Sequence, residues 1–304
     1  MRNKLALLLL ILPGAWPGYA DFQAGLDAYD HGDYVTATQQ WEPIAERGDA
    51  NAQYNMGLLL SCGEGAPRDY QKAAEWYRKA AEQGVAPAQY NLAALYANGE
   101  GIQRNIPEAA NWFRKAAENG IVLAAAVLGD IYYNGDGIAR DYTEAEKWYR
   151  KAAEQGIASA EFGLGIMYDL GQGVPQDYKQ AMEWYTKAAE ASYAPAMTNL
   201  GILYYNAQGE KRDLIQAYAW MARGQKLGDL RSAELVKTTG ERMSPKDVKR
   251  AQVLVDQWQP SSKAAEMDAS SLFRRPETAP ATGSAQGEAS RQDLTQPVAD
   301  PGSR

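Results

Sequence analysis

The chain offers few residues that could carry out nucleophilic, acid–base or metal chemistry. It contains one histidine, His31, and one cysteine, Cys62, among 304 residues. One histidine cannot form a two-histidine metal centre, and one cysteine can form neither an internal disulfide nor a thiolate cage for a metal. His31 lies between Asp30 and a Gly32-Asp33 pair, which is typical of an exposed turn residue. We therefore expect no metal and no cofactor.

Motifs for enzymatic chemistry are missing as well. The sequence contains no G-x-S-x-G, no G-x-x-x-x-G-K-[ST] and no S-x-x-K. The segment Lys237-Thr238-Thr239-Gly240 resembles a K-T-G motif, but without a serine nucleophile it indicates a turn that ends a helix. Carboxylates such as Glu146 stand beside lysine and arginine, as on a solvated helix face with i, i+4 ion pairs. The sequence therefore predicts a protein that is not an enzyme.

The charge balance bears on the class of partner. The chain has 31 Lys and Arg against 38 Asp and Glu, a net charge of -7. Nucleic-acid binding depends on clustered cations that release counterions from phosphates, and here the cations are outnumbered and recur beside carboxylates. We expect no nucleic-acid partner. A basic patch on a protein partner would instead associate faster, in a salt-dependent way.

The first twenty residues have the layout of a secretory signal peptide. Arg2 and Lys4 precede an apolar run of eight residues, Leu5 to Leu12, and a small-residue end at Gly18-Tyr19-Ala20. A helix that spans a bilayer needs about 20 apolar residues. We therefore expect cleavage after Ala20, no membrane span, and a mature protein that is periplasmic or secreted.

A period of 36 residues organises the rest of the chain. Trp76, Trp112, Trp148, Trp184 and Trp220 are each 36 residues apart, so residues 49–228 form five units of equal length. Within a unit, two apolar stripes of helical spacing are separated by a Gly-x-Gly pair that would end the first helix. Paired alanines recur where helices would approach closely, and we expect the tryptophan of each unit to fill the space beside them. One helix pair cannot bury its stripe alone, so the units must stack.

Several of these segments resemble a known family. Asn98-Gly99-Glu100-Gly101-Ile102, Lys115-Ala116-Ala117-Glu118-Asn119-Gly120 and Glu146 to Gly156 are similar to the Sel-one-like repeat, a relative of the tetratricopeptide repeat. The resemblance covers residues 49–228 and implies an all-α fold: a right-handed α-solenoid superhelix of two-helix, 36-residue repeats. The last copy departs from the pattern, with Ala207 in place of a turn glycine.

The two ends of the chain fit a capped solenoid. Residues 21–48 predict a degenerate N-terminal helix pair, and residues 229–259 predict C-terminal capping helices, one of which starts at Ser244-Pro245. In residues 260–304 apolar side chains become sparse, which predicts a disordered tail. Because both ends look capped, we expect a monomer.

The resemblance also implies a binding surface. In related two-helix solenoids the first helices line the concave face, where peptides or extended protein segments bind. Asn can hydrogen-bond an extended backbone and Tyr offers rigid contact area, although Asn and Tyr could equally satisfy the turns between repeats. The partner-binding residues predicted for this face are Asn55, Asn91, Asn98, Asp130, Tyr133, Asn134, Asp169, Asn199, Tyr205 and Asn206.

The main hypothesis is a non-enzymatic periplasmic scaffold that binds a protein or peptide on its concave face. Two alternatives remain open, because the resemblance extends to secreted proteins linked to the cell wall or to hosts. One is a cell-wall-associated factor or enzyme that recognises peptidoglycan or β-lactams, and the other is a secreted host-interaction protein. Cys62 stands at the repeat position of Asn98 and could stay reduced or pair between chains.

Overall fold

The computed structural model describes residues 17–261, and within them every element of regular secondary structure is an α-helix. The all-α solenoid of helix pairs predicted from the sequence is confirmed. Most of the predicted signal peptide and nearly all of the predicted tail lie outside the described residues. The chain divides into two compact units, which meet between Ile121 and Val122 in the sequence, and each is described separately.

From residue 17 onward, unit 1 contains six helices, each packed against the next along the chain. They are α1 (Pro17–Asp30), α2 (Tyr34–Glu46), α3 (Ala50–Cys62), α4 (Tyr70–Glu82), α5 (Ala86–Asn98) and α6 (Ile106–Glu118).

Up to residue 261, unit 2 contains eight helices. They are α7 (Val122–Asn134), α8 (Tyr142–Ala153), α9 (Ala158–Leu170), α10 (Tyr178–Glu190), α11 (Ala194–Asn206), α12 (Leu214–Lys226), α13 (Ser232–Glu241) and α14 (Pro245–Gln257). In each repeat, the first helix is the one before the turn of paired glycines, and the second helix follows it. The first helices are α3, α5, α7, α9 and α11, and the second helices are α4, α6, α8, α10 and α12.

The helix boundaries follow from local signals at the same repeat positions. Each second helix begins after an Asp or Asn whose side chain accepts a hydrogen bond from a backbone amide of the first turn, as Asp69 does from Lys72 N at 3.0 Å. First helices end in a left-handed residue, such as Gly99 with φ +74°. In the last copy Ala207 adopts the same conformation, with φ +60°. The turn geometry thus survives the loss of its glycine, at a cost of about 1 kcal/mol.

The space beside the paired alanines is filled by the residue after each tryptophan. Tyr77 and Tyr185 are 1% and 0% exposed, whereas Trp76 and Trp184 are half-buried. The smaller tyrosine ring lies directly over a glycine of the first helix, since a Cβ on Gly57 would come within 2.6 Å of Tyr77 Cδ1. An indole does not fit this gap, and Trp76 instead packs at the helix edge beneath Lys79 Nζ, 4.0 Å from its ring centroid. This corrects the expectation for Trp76 and Trp184, whereas Trp112 and Trp148 are buried.

Ser192, in the connection between α10 and α11, binds the segment that follows α14. It has φ +65° at a repeat position that is glycine in the other copies, Gly84, Gly120, Gly156 and Gly228. Its Oγ accepts a hydrogen bond from Ser261 N at 2.6 Å. Trp258 packs on the core formed by α10 and α11, so the chain after α14 returns to the α10–α11 connection. Serine is strained at this positive φ, but its side chain provides a hydrogen-bond acceptor that glycine lacks.

We expect Ser192→Gly and Ser192→Ala to release residues 258–261. Both substitutions remove the acceptor, so hydrogen exchange of the Ser261 amide should accelerate by about tenfold. Stability should separate the two, because glycine relieves the left-handed strain while alanine keeps it, a difference of about 1 kcal/mol in favour of glycine. Amide exchange with mass spectrometry and thermal melting measure the two effects. Unchanged exchange in both variants would contradict the assignment.

Candidate partner-binding surface

The ten residues predicted to bind a partner fall on four repeat positions of the first helices. Three of these positions are those of Asn55, Asp130 and Tyr133. Two repeats after Asn55 the equivalent position is 127, so the three positions follow an i, i+3, i+6 spacing on one helical face. The fourth is the last residue of the helix, as in Asn98. Each unit therefore carries a polar stripe along one side of its first helices.

The exposure of these residues differs widely. A side chain can contact a partner without rearrangement only where the structure leaves it accessible. Asn98, Asp130 and Asn134 are exposed; Asn91, Tyr133, Tyr205 and Asn206 are half-buried; Asn55, Asp169 and Asn199 are buried.

In unit 1, Asn91 takes part in packing between repeats. It lies beside the hydroxyls of Tyr54 and Tyr77; burial raises the pKa of both hydroxyls, and the hydrogen bond to Asn91 lowers it. The Tyr77 hydroxyl also lies 3.0 Å from Ser61 Oγ. Asn98 donates to Glu100 Oε2 within its own turn, at 3.4 Å. The amides of unit 1 thus mainly satisfy groups of the solenoid itself.

In unit 2, Asp130 is held in place by a buried tyrosine. Tyr149 donates from its hydroxyl to Asp130 Oδ1 at 2.7 Å. The Tyr149 ring lies between two first helices, and a Cβ on Gly129 or Gly163 would overlap it. Asp130 is exposed as a residue, yet neighbouring protein atoms desolvate its carboxylate and raise its pKa to about 6. Asp130 is therefore an exposed residue whose carboxylate is held in one orientation by the Tyr149 hydroxyl.

Asp169 and Asn199 form a second group around Tyr185. The Tyr185 hydroxyl donates to Asp169 Oδ2 and accepts from Asn199 Nδ2, both at 3.1 Å. Desolvation raises the pKa of Asp169 to about 6, although the hydrogen bond from Tyr185 opposes the shift. Asn199 Oδ1 is buried and has no hydrogen-bond partner among the described residues. These two predicted residues support the tyrosine beneath the surface.

The remaining predicted residues of unit 2 lie near the ends of the first helices. Tyr133 donates from its hydroxyl to Gln172 Oε1 at 2.6 Å. The Tyr205 ring has Arg212 and Arg242 above it, each 5.5 Å from the ring centroid. Asn206 donates to Gln208 Oε1 at 3.3 Å in the following turn, whereas Asn134 leaves its side chain exposed.

The first and second helices differ in charge. No lysine or arginine lies on α3, α5, α7, α9 or α11, and the only carboxylates on them are Asp130, Glu161 and Asp169, all in unit 2. Cations are concentrated on the second helices, where they cover indole rings, as Lys187 Nζ does at 3.8 Å from the Trp184 centroid. The first helices of unit 2 therefore carry acidic side chains, of which Asp130 is exposed, and those of unit 1 carry no charged side chain.

The buried tyrosines were not among the residues predicted from the sequence. Tyr149 and Tyr185 orient Asp130, Asp169 and Asn199, yet they lie on second helices. Their signal in the sequence is the residue after each repeat tryptophan, which is Tyr in three copies and Phe113 or Met221 in the other two.

The described residues hold no group of three or more His, Cys, Asp or Glu side chains arranged to bind a metal ion. Cys62 is exposed, and burial of its sulfur together with the nearby Glu64 carboxylate raises the pKa of the thiol. Between residues 17 and 261, no helix combines the length and apolarity that crossing a membrane requires.

Comparison with known proteins identifies the repeat. The model of the Sel1 repeat matches residues 50–85, 86–121, 122–157, 158–193 and 194–229, one residue later in phase than the predicted 49–228. No curated protein matches the chain.

Two solved structures resemble the chain closely. One is c5321, a protective antigen present in uropathogenic Escherichia coli strains and displaying an SLR fold, with 33% identity over 88% of this chain and a TM-score of 0.71. The chain spans 58% of that protein's length. The other is a Sel1 repeat protein from Oxalobacter formigenes, with 31% identity over 79% of this chain and 98% of that one, and a TM-score of 0.67.

Proposed function

Because the chain belongs to the Sel1-repeat family, whose members are generally non-catalytic protein-interaction scaffolds, we propose that it is a periplasmic scaffold that binds a protein or peptide partner. The partner binds along the concave side of the solenoid, on the first helices of unit 2. The periplasmic location is supported by the signal-peptide layout of residues 1–20.

One observation carries this proposal: Asp130, an exposed polar residue of unit 2, is held by a buried tyrosine. Asp130 accepts from the Tyr149 hydroxyl, and Tyr149 is fixed between Gly129 and Gly163. A surface whose side chains are already ordered loses little conformational entropy when a partner binds. This arrangement favours recognition of an extended segment by fixed hydrogen-bonding groups and aromatic area.

Capture from cells tests the proposal. The tagged protein is crosslinked in cells, purified and compared by mass spectrometry with the double variant Tyr133→Ala, Asn134→Ala. We expect one or more partners to be lost at least tenfold in the variant, and the mature chain to begin at Asp21. The double variant removes an aromatic ring and an exposed amide from the first-helix surface, and its melting temperature must stay within a few degrees of the parent.

A matched control uses Lys147→Ala with Glu154→Ala. These two residues are exposed on the second helix α8 and at its end in the same unit, and the pair leaves the net charge unchanged. Partners lost from the first variant should be retained by this control. Equal loss from both variants, equal retention by both, or no partner with the parent protein would contradict the proposal.

A further inference from the structure

The charge distribution of unit 2 points to the chemistry of the partner. The first helices α7, α9 and α11 carry three carboxylates and no cation. Glu161 and Asp169 are 7% and 8% exposed, whereas Asp130 is an exposed residue. Asp130 is therefore the charged side chain that these helices present to a partner.

Asp130 has spare capacity to accept hydrogen bonds. Tyr149 donates to its Oδ1, and Oδ2 has no donor among the described residues. A carboxylate accepts about two hydrogen bonds on each oxygen, and its strongest donors are guanidinium and ammonium groups. Oδ2 can therefore accept from a further donor, and the first helices of unit 2 carry no cation that could supply one.

Aromatic rings adjoin this carboxylate. Tyr133 lies one helical turn from Asp130, and its ring centroid is 6.3 Å from that of Tyr149. A carboxylate beside tyrosine rings suits a cation that donates hydrogen bonds and packs on an aromatic face. The chain uses the same pairing internally, for instance where Arg140 covers the Tyr142 ring at 5.7 Å.

Two arginines of unit 2 that reach the first helices are already engaged. Arg140 donates to Asn134 O and to the Tyr142 hydroxyl. Arg150 is paired with Glu146 and donates to the Tyr168 hydroxyl at 3.2 Å. Among the described residues, Tyr149 is the one side chain that binds Asp130 and no cation is paired with it, so its carboxylate is available to a cation of another molecule.

We propose that the segment bound by unit 2 is basic and extended, with a lysine or arginine side chain seated on Asp130 and Tyr133. This inference rests on the proposed function and names the class of partner. Electrostatic attraction would speed the encounter and orient the segment, and the uncharged remainder of the first helices would contact its backbone.

Selection from a peptide library tests the class of ligand separately from the function. The probe is a displayed library of unstructured peptides of unbiased composition, sorted on the purified full-length protein. We expect the bound pool to be enriched in lysine and arginine. A bound pool without this enrichment would overturn the basic partner while leaving the scaffold function standing, and a library that yields no binder would overturn both.

A charge-neutral variant then tests the position. Asp130→Asn keeps an acceptor for the Tyr149 hydroxyl and removes the negative charge, so the fold should be retained. We expect the most enriched basic peptide to bind about tenfold more weakly to this variant and to lose part of its salt dependence. Glu154→Gln removes the same charge from the end of α8 and should change the affinity less than twofold. Equal effects of the two variants, or no effect of Asp130→Asn, would overturn the proposal.

Discussion

Replacing Gly101 by alanine is expected to destabilise unit 1 by about 3 kcal/mol or more. Gly101 lies in the turn after α5 with φ +70°, and a Cβ there would overlap the carbonyl carbon and oxygen of Tyr70 and come within 2.5 Å of Gln71 N. These are backbone atoms at the start of α4, so no side chain can move aside. The substitution also adds about 1 kcal/mol for an alanine in the left-handed region.

Gly84→Ala separates the two contributions. Gly84 has φ +89°, but a Cβ at this position has no atom within 4 Å. Gly84→Ala should lower the free energy of unfolding by about 1 kcal/mol, because only the backbone conformation is unfavourable for alanine. Urea unfolding monitored by circular dichroism compares the midpoints of the two variants. Midpoints that coincide would show that the turn after α5 does not depend on close approach to α4.

Replacing Asp169 by asparagine is expected to stabilise unit 2 at neutral pH. Burial raises the pKa of Asp169 from 3.8 to about 6, so the folded state binds the proton more tightly than the unfolded state. The contribution of Asp169 to the free energy of unfolding is therefore fully present below about pH 4 and is lost as the pH rises through about 6. Asparagine removes the buried charge and keeps an acceptor for the Tyr185 hydroxyl, so the gain should be about 2 kcal/mol at pH 7.5.

The groups around Asp169 come from two helices and one turn. Tyr185 of α10 contacts the carboxylate, Asn199 of α11 contacts Tyr185, and Gln176, in the turn before α10, donates to Asp169 O. The fall in melting temperature from pH 5 to pH 7.5 should therefore be smaller in Asp169→Asn than in the parent. Asp130 keeps the pH dependence from vanishing, because its pKa is also raised to about 6.

Asp229→Asn provides a control of opposite sign. Burial alone would raise the pKa of Asp229, but hydrogen bonds from Arg231 and Thr198 and the charge of Arg231 lower it. Its contribution to stability is present above the unfolded pKa and lost in acid, so this variant should be less stable than the parent at pH 7.5. If both variants shift stability in the same direction at pH 7.5, the assignment of Asp169 is wrong.

Much of the fold could be predicted because its signals are local and repeat. The spacing of Trp76 and Trp112 predicts the length of a repeat, and the glycines at positions 99 and 101 mark the end of a first helix. An N-cap such as Asp69 is likewise visible in the sequence. Each of these signals depends on a few neighbouring residues, and equivalent signals recur from repeat to repeat.

The candidate surface could be predicted only in part, because its contacts join separate helices. The sequence places Asn199 on a first helix but does not show that its amide reaches Tyr185 on the helix before it. Similarly, Ser192 stands out as a departure from glycine, yet its partner Ser261 is 69 residues away. The sequence also does not show that Tyr77, rather than Trp76, packs against Gly57, because this depends on how much space the neighbouring helix leaves.

The most direct test of the scaffold function places a photocrosslinking amino acid at one exposed position in each of two variants. Asn134, at the end of first helix α7, reports on the proposed surface, and Glu154, at the end of second helix α8, serves as the reference. We predict that illumination of living cells yields a defined protein adduct from position 134 and none from position 154. The same adduct from position 154 alone, or no protein adduct from either position, would contradict a partner-binding role for the first helices.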